Sequence, residues 1–222
     1  MHFHAVSAHF GGPKPWEINL KSSQKLSTRY YDDNSTPPRH NAMHPRLKGK
    51  IPKMLEWRFT KADWIIWMDS SVKIKKNLDI PEEIIKTSKG KPLCLFRHTK
   101  FSSIQKEAFI IKEGIKKGNQ YFSTRYSGEP IQNQVETYLK DTTFKDDKLF
   151  QMTFFAYHRS MAPLMQEWFL QNCIWSIEDQ ISFPYVLHKF GCDYSYFEGN
   201  ALENNIFTWD WRSRENGKQT SH

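Results

Sequence analysis

The 222 residues carry 32 Lys and Arg against 24 Asp and Glu, for a formal charge of +8, and 38% of them are hydrophobic, with 16 Phe, 9 Tyr and 8 Trp. That length and apolar content suit one folded α/β domain and exclude a disordered chain, while the dispersed lysines, without a dense basic tract, argue for a solvated surface rather than a nucleic-acid or membrane footprint. Cys94, Cys173 and Cys192 are too scattered for a disulfide framework or a zinc site. No window has the length of a membrane span, and Met1-His2-Phe3-His4-Ala5-Val6 lacks the flank of a signal peptide.

In chain order, Phe3 to His9 alternates as a short strand and ends at Phe10-Gly11-Gly12, where paired glycines permit a tight turn or close approach to a ligand. Leu26 to Tyr31 reads as a second strand, closed by Asp32-Asp33-Asn34-Ser35 and Pro37-Pro38. A basic loop is expected next, holding Arg39, His40, His44, Arg46, Lys48 and Lys50. Pro52 is expected to open a helix with an apolar face of Ile51, Leu55 and Phe59. The run Trp64-Ile65-Ile66-Trp67-Met68 then reads as a buried strand that stops at Asp69-Ser70-Ser71. Leu93 to Phe96 is another strand, ending at Arg97-His98. Phe101, Ile104, Ala108, Ile111 and Ile115 trace a helix face that stops near Gly118, and a short helix spans 130–139. Phe150 to Tyr157 is β-like. Helices are expected over 161–174 and 178–190, the second ending at Gly191 with a kink at Pro184. Alternating strands and helices imply a single α/β domain with a mostly parallel central sheet covered on both faces. The expected domain spans 1–206, followed by a polar tail over 207–222.

Acids and bases fall at the strand ends. In open α/β sheets the crevice outside the carboxyl ends of the strands is where ligands bind. Asp69 and Ser71 form a D-x-S pattern there, which reads either as a cap at a strand-to-turn junction or as a site for a hard divalent cation, Mn²⁺ or Mg²⁺. Glu178-Asp179-Gln180 opens a helix, where acids favour capping and the helix dipole, and where a carboxylate could also orient or deprotonate a hydroxyl. Arg97 and His98 would neutralise phosphate or bind sugar hydroxyls, or lie on the surface. Arg39, Arg46, Lys48 and Lys50 either cradle a diphosphate or form a solvated loop. His40 and His44 lack the partners of a zinc site. No dinucleotide, P-loop, nucleophile-elbow or Cys-centred motif is present.

Ala5-Val6-Ser7-Ala8-His9-Phe10-Gly11-Gly12, Tyr30-Tyr31-Asp32-Asp33, Trp67-Met68-Asp69-Ser70, Phe96-Arg97-His98 and Glu178-Asp179-Gln180-Ile181-Ser182-Phe183 occur in an order that resembles glycosyltransferases of the GT-A fold. More narrowly, roughly Val6 to Tyr196 resembles the glycosyltransferase-like family of formerly unknown function that includes plant mucilage-related proteins. The resemblance implies a GT-A-like (Rossmann-like) domain that moves a sugar, of hexosyl or deoxyhexosyl type, from a nucleotide-diphosphate sugar to a hydroxyl of a glycan or glycoconjugate, with UDP-sugars favoured. It gives Ala8, Phe10, Asp32 or Asp33, Arg97 and His98 to the nucleotide sugar, Asp69 to Mn²⁺ or Mg²⁺, Asp179 to catalysis and Gln180 to the acceptor; Arg46 joins the nucleotide-sugar set from the basic loop, and Ser71, which departs from the D-x-D pattern, joins Asp69. Asp179 would be the base of an inverting reaction or would orient the sugar in a retaining one. The expected setting is cytoplasmic, or that of a soluble catalytic fragment of a larger protein. Two competitors are a basic nucleic-acid-binding module and a catalytically silent nucleotide-sugar binder. A lipid-amidase activity proposed within the family finds no zinc ligands or nucleophile here.

Overall fold

A computed structural model describes residues 1–12, 18, 20–35 and 43–209, so the expectations for Arg39 and His40 lie outside the described residues. Six strands form the central sheet in the order β2 (Lys25–Tyr31), β1 (His2–Ala8), β3 (Trp64–Met68), β6 (Phe150–His158), β5 (Leu93–Arg97), β7 (Ser195–Tyr196). The pairs β1–β2, β1–β3 and β5–β7 are parallel, and β6 runs antiparallel to both of its neighbours. The sheet is therefore mostly parallel, as the alternation of elements implied. The carboxyl ends of β1, β2, β3 and β5 share one edge with the amino end of β6.

The burial of β3 explains its central place. All five of its residues are buried, and they alternate between faces. Trp64, Ile66 and Met68 join Phe3, Ala5, Cys94 and Phe96 on one side, while Ile65 and Trp67 join Val6, Leu93, Leu95 and Phe155 on the other. A strand apolar on both faces needs cover on both. The first face is covered by α2 (Ile80–Ser88) and by Phe197, Ala201, Ile206 and Phe207. The second is covered by α1 (Pro45–Leu55), α6 (Ala162–Ile174) and α7 (Asp179–Phe190), which contribute Met54, Met165, Trp168 and Phe183. A third cluster joins α3 (Ile104–Lys116), α4 (Gln120–Tyr126) and α5 (Ile131–Leu139) to Ile181 of α7.

Four features differ from the sequence reading. The basic stretch from Arg46 to Lys50 is helix rather than loop, because Pro45 supplies the fixed φ suited to a first turn. Pro52 lies inside α1 instead of opening it; Lys48, Pro52, Lys53 and Met54 are buried, and Phe59 is 53% exposed. Packing against β1 and α6 outweighs the one helical hydrogen bond that a proline removes. Phe207–Trp209 is not tail but β8, paired antiparallel with β4 (Val72–Ile74), so the domain reaches at least Trp209. Helices α2 and α4, which the sequence reading did not name, complete the pattern.

Candidate functional site

The ends of β1, β2 and β3 are tied together by the loop that follows β1. The backbone N–H of His9 donates to the Tyr31 carbonyl at 2.9 Å, and His9 Nδ1 lies 3.1 Å from Ser70 Oγ. Gly11 adopts φ of 79°, a left-handed conformation that a side chain would strain. Its N–H donates to Asp33 Oδ2 at 2.8 Å, and Lys48 Nζ meets Asp33 Oδ1 at 3.3 Å while lying 5.5 Å from the centre of the Phe10 ring. The Gly11 N–H, followed by Lys48, holds the Asp33 carboxyl below the ordinary carboxylate range. Asp32 closes its own turn by accepting from the N–H groups of Asn34 and Ser35, each at 2.9 Å. Ala8 ends β1 half-buried against the second-face core, and Arg46 stands in the first turn of α1, its N–H donating to His44 Nδ1 at 3.3 Å.

Asp69 is held by β6 and β3. Its N–H donates to the Thr153 carbonyl at 2.8 Å, just where β6 breaks alternation: Phe150 and Met152 share a face with Phe155 and Tyr157. A bulge of this kind re-aims backbone groups at a sheet edge. The Trp67 indole N–H donates to Asp69 Oδ1 at 2.9 Å. Ser71 is buried, and its Oγ accepts from the Trp209 indole at 3.1 Å. The hydroxyl expected to help Asp69 thus engages β8, and among the described residues no three His, Cys, Asp or Glu side chains converge as a metal-binding group.

Asp179, 6% exposed, lies in the first turn of α7. Lys50 and Lys53 of α1 both meet its Oδ2, at 2.5 and 2.6 Å. Burial opposes its ionisation, but the two ammonium groups, Lys50 before Lys53, outweigh burial and hold the carboxyl at about 2. Lys53 Nζ also lies 5.5 Å from the centre of the Trp67 ring, so Trp67 joins this ion cluster to Asp69. Glu178 caps α7 by accepting from the Gln180 N–H at 3.1 Å, and the Tyr126 hydroxyl donates to its other oxygen. Burial, and then Glu178, raises the neighbouring Glu107 to about 8. The side-chain Oε1 of Gln180 is buried without a hydrogen-bond partner.

Arg97 and His98 follow β5. The Arg97 guanidinium stacks 4.2 Å above the centre of the Tyr196 ring. His98 Nδ1 accepts from the Phe101 N–H at 3.0 Å, and burial lowers its pKa to about 4. A neutral imidazole of this kind donates a hydrogen bond through Nε2 but does not neutralise phosphate, which narrows the role expected from the sequence.

Phe10, Asp33, Asp69 and the Asp179 cluster therefore share the edge formed by the strand ends, bridged by Lys48, Lys50, Lys53 and Trp67. Asp32 and Ser71 are engaged elsewhere. Sequence reasoning did not single out His9, Ser70, Lys53 or Thr153. A Lys50-x-x-Lys53 spacing on a helix would have flagged Lys53, whereas the Thr153 carbonyl leaves no trace in residue identity.

A search of curated proteins finds no significant match. Among solved structures the chain is similar to a glycosyltransferase involved in glycosylation of the major capsid of PBCV-1, at 10% identity and a TM-score of 0.47 over 88% of this chain and 81% of that one. It is also similar to the apo form of mouse xyloside xylosyltransferase 1, at 10% identity and a TM-score of 0.40 over 78% of this chain and 63% of that one. The family model described as TOD1/MUCI70, glycosyltransferase-like domain, matches residues 39–213, and the chain belongs to that family.

Proposed function

We propose that this domain transfers a sugar from a nucleotide-diphosphate sugar, with UDP-sugars favoured, to a hydroxyl of a glycan or glycoconjugate. One observation carries the reading: the His9–Ser70 contact sets the Phe10–Gly11 loop beside Asp69 at the carboxyl ends of adjacent parallel strands, where α/β sheets bind ligands. Ala8, Phe10 and Asp33 would receive the nucleoside. Arg46, Arg97 and a neutral His98 would donate hydrogen bonds to phosphate or sugar oxygens.

The donor set at Asp69 fits Mg²⁺ or Mn²⁺ carried by the diphosphate, because such an ion keeps several waters and binds through one or two carboxylates plus substrate phosphates. Asp69 would be its protein ligand, without Ser71. When bound, the ion would neutralise charge on the leaving diphosphate. In the transfer, the acceptor oxygen bonds to the anomeric carbon as the bond to the diphosphate breaks, and the hydroxyl proton departs to a base.

Asp179, held ionised by two lysines, suits the orienting role better than the basic one. Its carboxylate would accept from a sugar hydroxyl. Gln180, the next residue, would contribute its side-chain amide to the acceptor side. The weak basicity of Asp179 also favours, as a second reading, a domain that binds the donor without turning it over.

The experiment is thermal stabilisation by UDP- and GDP-sugars with and without Mn²⁺, followed by assay of donor hydrolysis. Ligand at about 100 times Kd adds about 2.7 kcal/mol to the native state, and this gain is expected to vanish in Asp69→Asn. Binding without hydrolysis or transfer would establish the silent binder. Absence of any shift would refute the transferase reading.

A further inference from the structure

We propose that a second groove, continuous with the end of β5, binds an anionic saccharide chain and thereby selects the acceptor. This deepens the transferase reading and rests on it for the word acceptor, although the binding can be measured alone. The groove has a volume of about 270 Å³ and lies between the segment 143–150 and the end of α7. It begins at the donor edge, because Phe150 pairs with Arg97 across the sheet and the His98 N–H donates to the Leu149 carbonyl at 2.9 Å.

Its floor is aromatic. Phe150 meets Tyr194 at 5.4 Å and Tyr196 at 6.2 Å between ring centres, and Tyr194 meets Tyr196 at 5.3 Å. Of these rings Tyr194 lines the groove half-buried, and its apolar face suits the C–H face of a pyranose, while Phe150 is buried beneath it. The rim is cationic. Among the described residues, Lys145 and Lys148 line the groove with Asp147 as the one acid in its lining, and beyond the lining the Arg97 guanidinium stacks on Tyr196. Lys148 and Arg97 both act electrostatically on the Tyr196 hydroxyl. A neutral sugar needs none of these cations, whereas a carboxylate, sulfate or phosphate on the chain would pair with them.

The wall is fixed before any ligand arrives. Asp146 accepts from Ser103 Oγ at 2.7 Å and from the Ile104 N–H at 2.6 Å, tying the segment to the start of α3. Thr143 Oγ1 lies 3.0 Å from His188 Nε2, tying it to α7. A rigid groove spares the ligand the cost of ordering a loop.

Titration calorimetry with the intact chain tests the idea, using a uronic-acid tetrasaccharide, its carboxyl-reduced neutral counterpart, and a sulfated neutral tetrasaccharide. Saturable binding of an anionic probe, weakened by added salt and by roughly tenfold in Lys145→Ala/Lys148→Ala, is the expected result. Preference between carboxylated and sulfated probes identifies the source of the charge. Equal binding of the neutral probe, or anionic binding unaffected by the lysine changes, overturns the proposal. Nucleotide-sugar stabilisation is read on the same protein. If it persists while the anionic probes fail, only the groove is refuted; if the anionic probes bind and no nucleotide sugar does, only the transferase reading is.

Discussion

Asp179 is the residue with the largest consequence for the site, because its carboxylate contacts the ammonium groups of both Lys50 and Lys53 within hydrogen-bond distance. Asp179→Asn would leave that positive charge with weaker compensation, and losing one partner of a buried charge cluster destabilises by about 3–5 kcal/mol. A loss of that size in urea unfolding is expected, with partial recovery in Asp179→Asn/Lys53→Met. An unchanged midpoint would show that the lysines find water or another anion. Asp69 is a different case. Its backbone N–H is held by the Thr153 carbonyl, which any residue retains, and its Oδ1 by an indole N–H, which an asparagine oxygen retains, so Asp69→Asn should alter donor binding far more than stability.

At the scale of elements, close approach of α3 and α4 fixes the face that packs on Glu178. A Cβ built on Gly114 falls 2.2 Å from Cδ2 of Phe122, so the ring occupies the space an alanine methyl would need. Overpacking of this kind costs about 1–3 kcal/mol. Gly114→Ala is expected to lower the melting temperature despite the better helix propensity of alanine. Gly114→Ala/Phe122→Leu should recover most of the loss; a Gly114→Ala variant as stable as the parent would mean that the ring swings aside freely. The same contact positions Tyr126, whose hydroxyl bonds Glu178 at the start of α7, so the packing of two short helices reaches the candidate acceptor side.

For the whole molecule, His98, Asp179 and Glu107 each make stability depend on pH. His98, lowered from 6.5 to about 4 by burial, binds its proton in the unfolded chain first, so stability falls as pH drops from 6.5 towards 4. Asp179, lowered from 3.8 to about 2, adds a further loss as pH falls through that lower window. Glu107, raised from 4.5 to about 8 by burial and Glu178, acts in the opposite sense, and stability declines as pH rises through that range. Urea midpoints are therefore expected to fall between pH 6.5 and 8, where Glu107 alone of the three still titrates. Glu107→Gln should flatten that decline. A decline that survives the substitution would place its origin elsewhere.

The sequence alone determined the strands that are buried on both faces and the acids at their ends. Trp64 to Met68 is long, apolar and stopped by Asp69, and such a run can only be a central strand ending at an open edge. Helix α3, with its apolar period, was legible for the same reason, since local patterning suffices when one face is buried. The tertiary structure decided what those acids touch. Lys50 and Lys53 lie some 130 residues from Asp179 along the chain, a separation visible in the Lys50 to Asp179 hydrogen bond spanning 129 positions, and no periodicity encodes that meeting. Ser71 shares a motif with Asp69 yet turns to Trp209, because β8 returns from the far end of the chain to pair with β4. Local pattern fixes where an element begins and which face is buried; long-range packing decides which charged groups share a low-dielectric pocket, and with them the protonation states on which any chemistry here depends.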